Sequence, residues 1–178
     1  MKVKKIILHI TATKPDATVE EITKMHIARG FSTIGYHFLV DQSGNIIKGR
    51  DETIPGAHCF GHNSDSIGIS YISRGSDTDS KSPFGKYMTE PQKTSYLILI
   101  AELINKYHLT VTDVYGHNFF NKGKACPCFQ VDTELKKTIQ SLLDTLQKSS
   151  QNPPELAEAV NGEDFDDDYI PNKAIPIS

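Results

Sequence analysis

Two imidazoles and a thiol stand out in this chain as groups able to hold a metal ion and activate water. His9 closes the apolar run Ile6-Ile7-Leu8, His117 follows Val114-Tyr115-Gly116, and Cys126 lies in Lys124-Ala125-Cys126-Pro127. Zinc hydrolases draw three protein ligands from His, Cys and carboxylates and keep a fourth position for water. His9, His117 and Cys126 would complete such a set for one Zn2+ per chain. Lys122 and Lys124 flank the thiol, and a nearby cation favours the thiolate that a metal binds. Taken singly, each ligand has a blander reading. A histidine at a strand end is more often a hydrogen-bonded structural residue, and a cysteine more often a small buried hydrophobe. Cys59, Cys126 and Cys128 cannot all pair within one chain, and Pro127 alone separates two of them, which is poor geometry for a bridge. They read as reduced thiols, with Cys59 and Cys128 as bystanders.

The elements that must carry these groups can be read from periodicity and caps. Residues 3–10 are β-branched and apolar and predict a buried strand with His9 at its end. Thr18-Val19-Glu20-Glu21 is a capping box that opens a helix ended by Gly30. Residues 36–41 and 45–48, joined by Gln42-Ser43-Gly44, predict a hairpin, and residues 67–72 another strand. Residues 73–86, rich in Ser, Asp, Gly and Lys, read as a surface loop. Thr89-Glu90-Pro91-Gln92 reads as a second capping box starting a long helix to about Tyr107. Residues 111–115 predict a strand that delivers His117, and Asp132 caps a last helix to about Lys148. Strands alternating with helices, plus one hairpin, predict an α/β domain with a mixed central sheet flanked by helices, in which sites gather at strand ends.

Charge is unevenly placed along the 178 residues. Residues 149–178 hold seven acids and one base, which leaves eighteen Lys and Arg against fifteen Asp and Glu in residues 1–148. The expected organisation is therefore a catalytic domain over 1–148 and an acidic, disordered tail over 149–178, whose polar and charged composition offers little apolar surface to offset the entropy of ordering. A body excess this small does not point to nucleic acid. No apolar stretch approaches the roughly 20 residues a membrane-spanning helix needs, so membrane insertion is not expected. The apolar run after the basic N-terminus stops at His9 with no small-residue cleavage site behind it, so no signal peptide is expected. Synthesis in the cytoplasm, with action on its target after release or export, follows as an expectation.

Eight motifs occur in an order that resembles one family. They are Leu8-His9-Ile10-Thr11-Ala12-Thr13, Gly35-Tyr36-His37-Phe38, Gly49-Arg50-Asp51, Gly56-Ala57-His58, Gly61-His62-Asn63-Ser64, Ser66-Ile67-Gly68-Ile69, Gly116-His117 and Lys124-Ala125-Cys126-Pro127. Over about residues 3–140 the chain resembles the type 2 N-acetylmuramoyl-L-alanine amidases, which include bacteriophage lysozyme amidases and animal peptidoglycan recognition proteins. The resemblance implies a zinc ion on His9, His117 and Cys126, with Tyr36 and Lys124 as catalytic groups. The reaction it implies is hydrolysis of the lactyl–L-alanine amide of peptidoglycan or muropeptides, by a monomer of phage-lysin type. A non-catalytic recognition module and a muropeptide-recycling amidase are the alternatives. His58, His62 and Asn63 are candidates for lining the substrate groove, His37 reads as structural, and His26 and His108 as surface or rim residues. Ser70 stands where some relatives carry a glutamate general base, and the gap from His117 to Cys126 is one residue longer than is usual in the family.

Overall fold

The computed structural model describes residues 1–151. Five strands form one sheet. In chain order they are β1 (Lys5–Ile10), β2 (Phe38–Val40), β3 (Ile46–Lys48), β4 (Ser66–Tyr71) and β5 (Val114–Gly116). Their spatial order is β3-β2-β4-β1-β5, with β3 antiparallel to β2 and every other pairing parallel. The mixed sheet flanked by helices is the architecture the element pattern predicts. β1 lies between β4 and β5, so a near-continuous apolar run suits it: a central parallel strand is covered on both faces.

Four helices complete the domain: α1 (Val19–Ala28), α2 (Glu90–Tyr107), α3 (His117–Phe120) and α4 (Thr133–Gln151). α1 starts on the expected capping box, in which Thr18 accepts from Glu21 N–H at 3.2 Å and Glu21 accepts from Thr18 N–H at 2.8 Å. α2 and α4 cover one face of the sheet. Ile6, Leu8 and Ile10 of β1, Phe38 and Val40 of β2, and Ile67, Ile69 and Tyr71 of β4 pack there against Tyr96, Ile100, Leu103 and Ile104 of α2 and Leu135, Ile139 and Leu143 of α4. Each fully buried aliphatic side chain of this kind contributes about 1.5–3 kcal/mol. A smaller cluster of Ile22, Ile34, Leu39 and Ile72 seats α1.

Three local expectations need correction. At the start of α2, Thr89 accepts from Gln92 N–H at 3.2 Å, but the Gln92 side chain does not return to the cap. It is buried and donates to the carbonyls of Val40 and Ile72 at 2.9 and 3.1 Å, tying the ends of β2 and β4 to the helix. Residues 111–113 form a 3-10 turn instead of strand. There the Asp113 carboxylate accepts from the Thr110 N–H at 2.9 Å and overrides the β preference of Val111 and Thr112. The last helix, capped by Asp132 accepting from Leu135 N–H at 2.9 Å, continues to Gln151, beyond the expected boundary at 148. The acidic run of the proposed tail lies outside the described residues.

Candidate metal centre

His9, His117 and Cys126 meet because of strand order. β1 and β5 are parallel neighbours with Leu8 opposite Gly116, so the residues that follow, His9 and His117, emerge side by side with ring centroids 4.7 Å apart. The loop carrying Cys126 is stapled to α3, since Asn118 N–H donates to Cys126 O at 2.8 Å and Asn118 Nδ2 donates to Phe129 O at 3.0 Å. Cys126 Sγ comes to 3.6 Å from His9 Nδ1 and accepts from Ile10 N–H at 3.4 Å. The backbone of His9 is held from behind by α2: its N–H donates to the Tyr96 hydroxyl at 3.3 Å, and that hydroxyl lies 3.1 Å from Ile69 O.

The donor set fits a tetrahedral ion. One potential ligand atom from each of the three residues lies within 4.8 Å of the other two. Zinc bonds of about 2.0–2.3 Å at tetrahedral angles put neighbouring ligand atoms about 3.3–3.6 Å apart, the separation already found between His9 Nδ1 and Cys126 Sγ. The His117 ring, its centroid 4.7 Å from that of His9, offers the third nitrogen within 4.8 Å of the other two ligand atoms. Burial, with His58 and His117 nearby, holds His9 well below the usual histidine pKa, and burial and the Lys124 charge lower His117. Both rings are therefore neutral near pH 7 and keep a lone pair for a cation. Burial pushes the Cys126 thiol up to about 12, while the Ile10 hydrogen bond and Lys124 oppose it only in part. The expected thiolate-promoting effect of the lysines is thus outweighed by desolvation, and a bound cation would favour ionisation of this sulfur.

A cleft of about 580 Å³ opens over these groups, lined among others by His26, Arg29, Tyr36, His117, Lys124 and Cys126. Tyr36 stands 5.2 Å from the His9 ring, and burial together with the nearby Cys126 raises its phenol pKa, so it remains an O–H donor at neutral pH. Lys124 is exposed at the cleft wall, whereas Lys122 turns away and sits 5.1 Å over the Phe119 ring. That distinguishes the two lysines, which the sequence left side by side.

The groove candidates occupy different places. His58 is buried, with Nδ1 3.0 Å from His9 Nε2. It touches both the cleft and an adjoining recess of about 440 Å³, which Asn63, Phe60 and Phe120 also line. Asn63 holds the loop in shape, its Oδ1 accepting from His58 and Cys59 N–H at 2.9 Å each. His62 stacks on Phe120 at 4.0 Å. His37 is buried and structural, as expected, accepting at Nδ1 from Gly68 N–H at 3.0 Å. His108 is the exposed C-cap of α2. His26 stands at the rim of the cleft, one of the two places expected for it, yet it is buried and accepts at Nδ1 from Gly35 N–H at 2.9 Å, 5.2 Å from the Tyr36 ring. Its i, i+4 spacing from the buried Ile22 was the available signal. Arg29, one turn further on the same helix, is a cleft residue that sequence reasoning left unassigned.

Comparison with known proteins gives the family and the fold. Residues 1–129 match the family model described as N-acetylmuramoyl-L-alanine amidase. The chain is 34% identical over 128 residues to an endolysin of Enterobacteria phage T3, covering 71% of this chain and 81% of that one, and equally similar to an endolysin of Escherichia phage T7. It is 34% identical over 147 residues to a peptidoglycan-recognition protein of Drosophila melanogaster, covering 76% and 74% of the two chains. Among solved structures, the N-acetylmuramoyl-L-alanine amidase LysC from Clostridium intestinale superposes with a TM-score of 0.64 at 29% identity, over 81% of this chain and 87% of that one.

Proposed function

The chain belongs to the N-acetylmuramoyl-L-alanine amidase family, and we propose that it is a zinc-dependent amidase that cuts the lactyl–L-alanine bond of peptidoglycan. The observation that carries the zinc reading is the convergence of His9 Nδ1, Cys126 Sγ and the His117 imidazole at one point on the wall of a cleft. An ion bound there supplies Lewis acidity and a water ionisable near neutral pH. The chain's own residues do the rest. Lys124 and the un-ionised Tyr36 phenol, which both line the cleft, would donate to an oxyanion that develops on the amide carbonyl. Residues 1–148 would act as the catalytic unit, with one zinc ion per monomer. His58 and Asn63 border the recess beside the cleft, where the substrate would extend.

The phage endolysin relatives support a lysin that meets the wall after release from the cytoplasm. Among the described residues no helix is long and apolar enough to cross a membrane. The recognition-protein relatives favour a second reading, a module that binds peptidoglycan without cutting it. One experiment separates the two. Purified cell wall is incubated with the protein, and newly released L-alanine N-termini are counted with and without a chelator and after added zinc. Release that the chelator abolishes and zinc restores supports the amidase. Tight retention on the wall with no release in excess zinc would sink it.

A further inference from the structure

We propose that His58 is a positioning residue for His9, the middle link of a hydrogen-bonded chain whose fixed direction keeps His9 Nδ1 free of a proton. This rests on the metal-binding reading of His9. His9 Nε2 faces His58 Nδ1 at 3.0 Å, His58 Nε2 faces Ser66 Oγ at 3.4 Å, and the Ser66 hydroxyl donates to the His62 carbonyl at 2.6 Å. A carbonyl only accepts, so the single Ser66 hydrogen is committed to it. Ser66 Oγ must then accept from His58, which places the His58 proton on Nε2. His58 Nδ1 is left as an acceptor, and His9 must supply the donor from Nε2. The remaining nitrogen, Nδ1, is the one that faces Cys126 Sγ at 3.6 Å. Run backwards, the chain would ask the Ser66 hydroxyl to donate twice with one hydrogen.

The surroundings fix the His58 ring in this pose. A Cβ at Gly68 would stand 2.4 Å from it and one at Gly56 2.3 Å, so glycine at both positions is what lets the ring lie flat on β4. His37 closes another side with its ring centroid 5.6 Å away, and Asn63 holds the His58 backbone N–H. Both nitrogens of His58 are used within this chain of bonds. Only its carbon edge is left for anything in the adjoining recess, so its part in the site is to orient His9. Outer partners of this kind typically change metal affinity by about 10–100-fold.

The test measures zinc affinity by competition with a chromogenic chelator for the wild type, His58→Leu and His58→Asn, alongside the ring-nitrogen NMR signals of His58 in the zinc-loaded wild type. His58→Leu should bind zinc about 10–100-fold more weakly. His58→Asn, whose Oδ1 can accept from His9 Nε2–H, should recover most of that loss. The NMR signals should report a proton on His58 Nε2. Wild-type affinity in His58→Leu, or a proton on His58 Nδ1, overturns the proposal and leaves the zinc site standing. A wild type that binds no zinc defeats the metal reading and this inference together. The NMR readout holds even if the leucine variant fails to fold.

Discussion

The same strands present two different surfaces. On the side toward α2 and α4, β1 offers Ile6, Leu8 and Ile10 and β4 offers Ile67, Ile69 and Tyr71, all buried in one apolar cluster. At the alternate positions β1 offers Ile7 and His9 and β4 offers Ser66, Gly68 and Ser70, equally buried but, Ile7 apart, polar or without a side chain. Strand alternation makes this division available at no cost in length, since neighbours in sequence point to opposite faces. One face carries the larger apolar core. The other combines Ile7 and the smaller cluster under α1 with a buried polar layer whose His9 and Ser66 are oriented by hydrogen bonds, as fixed metal ligands need. Function and stability should therefore separate residue by residue within a single strand, and Leu8 and His9 are the neighbours on which to test it.

The largest effect should come from the polar face. His9→Ala, His117→Ala or Cys126→Ala, like chelation of the wild type, should reduce turnover to background and abolish stoichiometric zinc by metal analysis. A variant of the three that kept full zinc and full turnover would break the division at its root. Leu8→Ala should do the opposite. It should cost about 2–5 kcal/mol of stability through the cavity it leaves, a fall in Tm of about 2–4 °C for each kcal/mol at this chain length. Zinc affinity of the folded protein should stay within a factor of about two, because strand alternation turns the Leu8 side chain to the face opposite that of His9. Next in size, Tyr36→Phe and Lys124→Ala should each lower kcat by about 10²–10³ while zinc content and Tm stay at wild-type values. A comparable loss from Lys122→Ala would reverse the assignment of the two lysines.

Acid should discriminate between the faces as well. Burial, followed by the neighbouring His37, lowers His58 to about 3 from an ordinary value of 6.5, and His9 is also lowered. The sign follows from which state takes the proton. Below pH 6.5 the unfolded chain protonates these rings and the folded chain does not, so their contribution is complete above 6.5 and is lost progressively as pH falls toward 3. Melting curves of the metal-free protein should accordingly shift down between pH 7.5 and pH 5. The decrement due to Leu8→Ala should be the same at both values, since no titrating group is altered. His58→Leu should make the wild-type pH slope shallower; an unchanged slope would mean that the ring takes up its proton over the same pH range in the folded and unfolded chains.

How much of this was legible beforehand follows the same division. The apolar face could be read from local pattern: the run in β1, the Thr18 box of α1 and the Asp132 cap of α4 all sit where periodicity and caps put them. His9 and His117 were readable as residues at strand ends, and Cys126 through its motif. The contacts that orient them were not, because they join segments far apart in sequence. His58 reaches His9 only when the loop after β3 folds back over Gly68, and Tyr96 reaches the His9 backbone only when α2 docks. The 3-10 turn at Val111–Asp113 was misread for a local reason, since a side-chain cap competed with β propensity and prevailed.

Ser70 is the residue where the two faces can be told apart by the smallest change. It pairs with His9 across β1 and β4, is fully buried, and its Oγ has no hydrogen-bond partner of normal geometry among the described residues. The Tyr36 phenol is near enough for Ser70 to offset a little of the rise in its pKa, and no more than that. A buried hydroxyl left unpaired costs on the order of 1–3 kcal/mol, whereas removing it forfeits little packing. Ser70→Ala should therefore be neutral or raise stability by up to about 1 kcal/mol, against the loss of several expected for Leu8→Ala beside its strand partner His9. Its effect on chemistry should be equally small. A serine hydroxyl accepts no proton at neutral pH, so kcat should remain within about twofold and the pH profile unchanged. A tenfold loss of kcat with zinc retained would show that the hydroxyl handles substrate or water. Contact with the reacting amide could then no longer be assigned to Tyr36 and Lys124 alone, and the polar face would hold one more working group than its hydrogen bonds reveal.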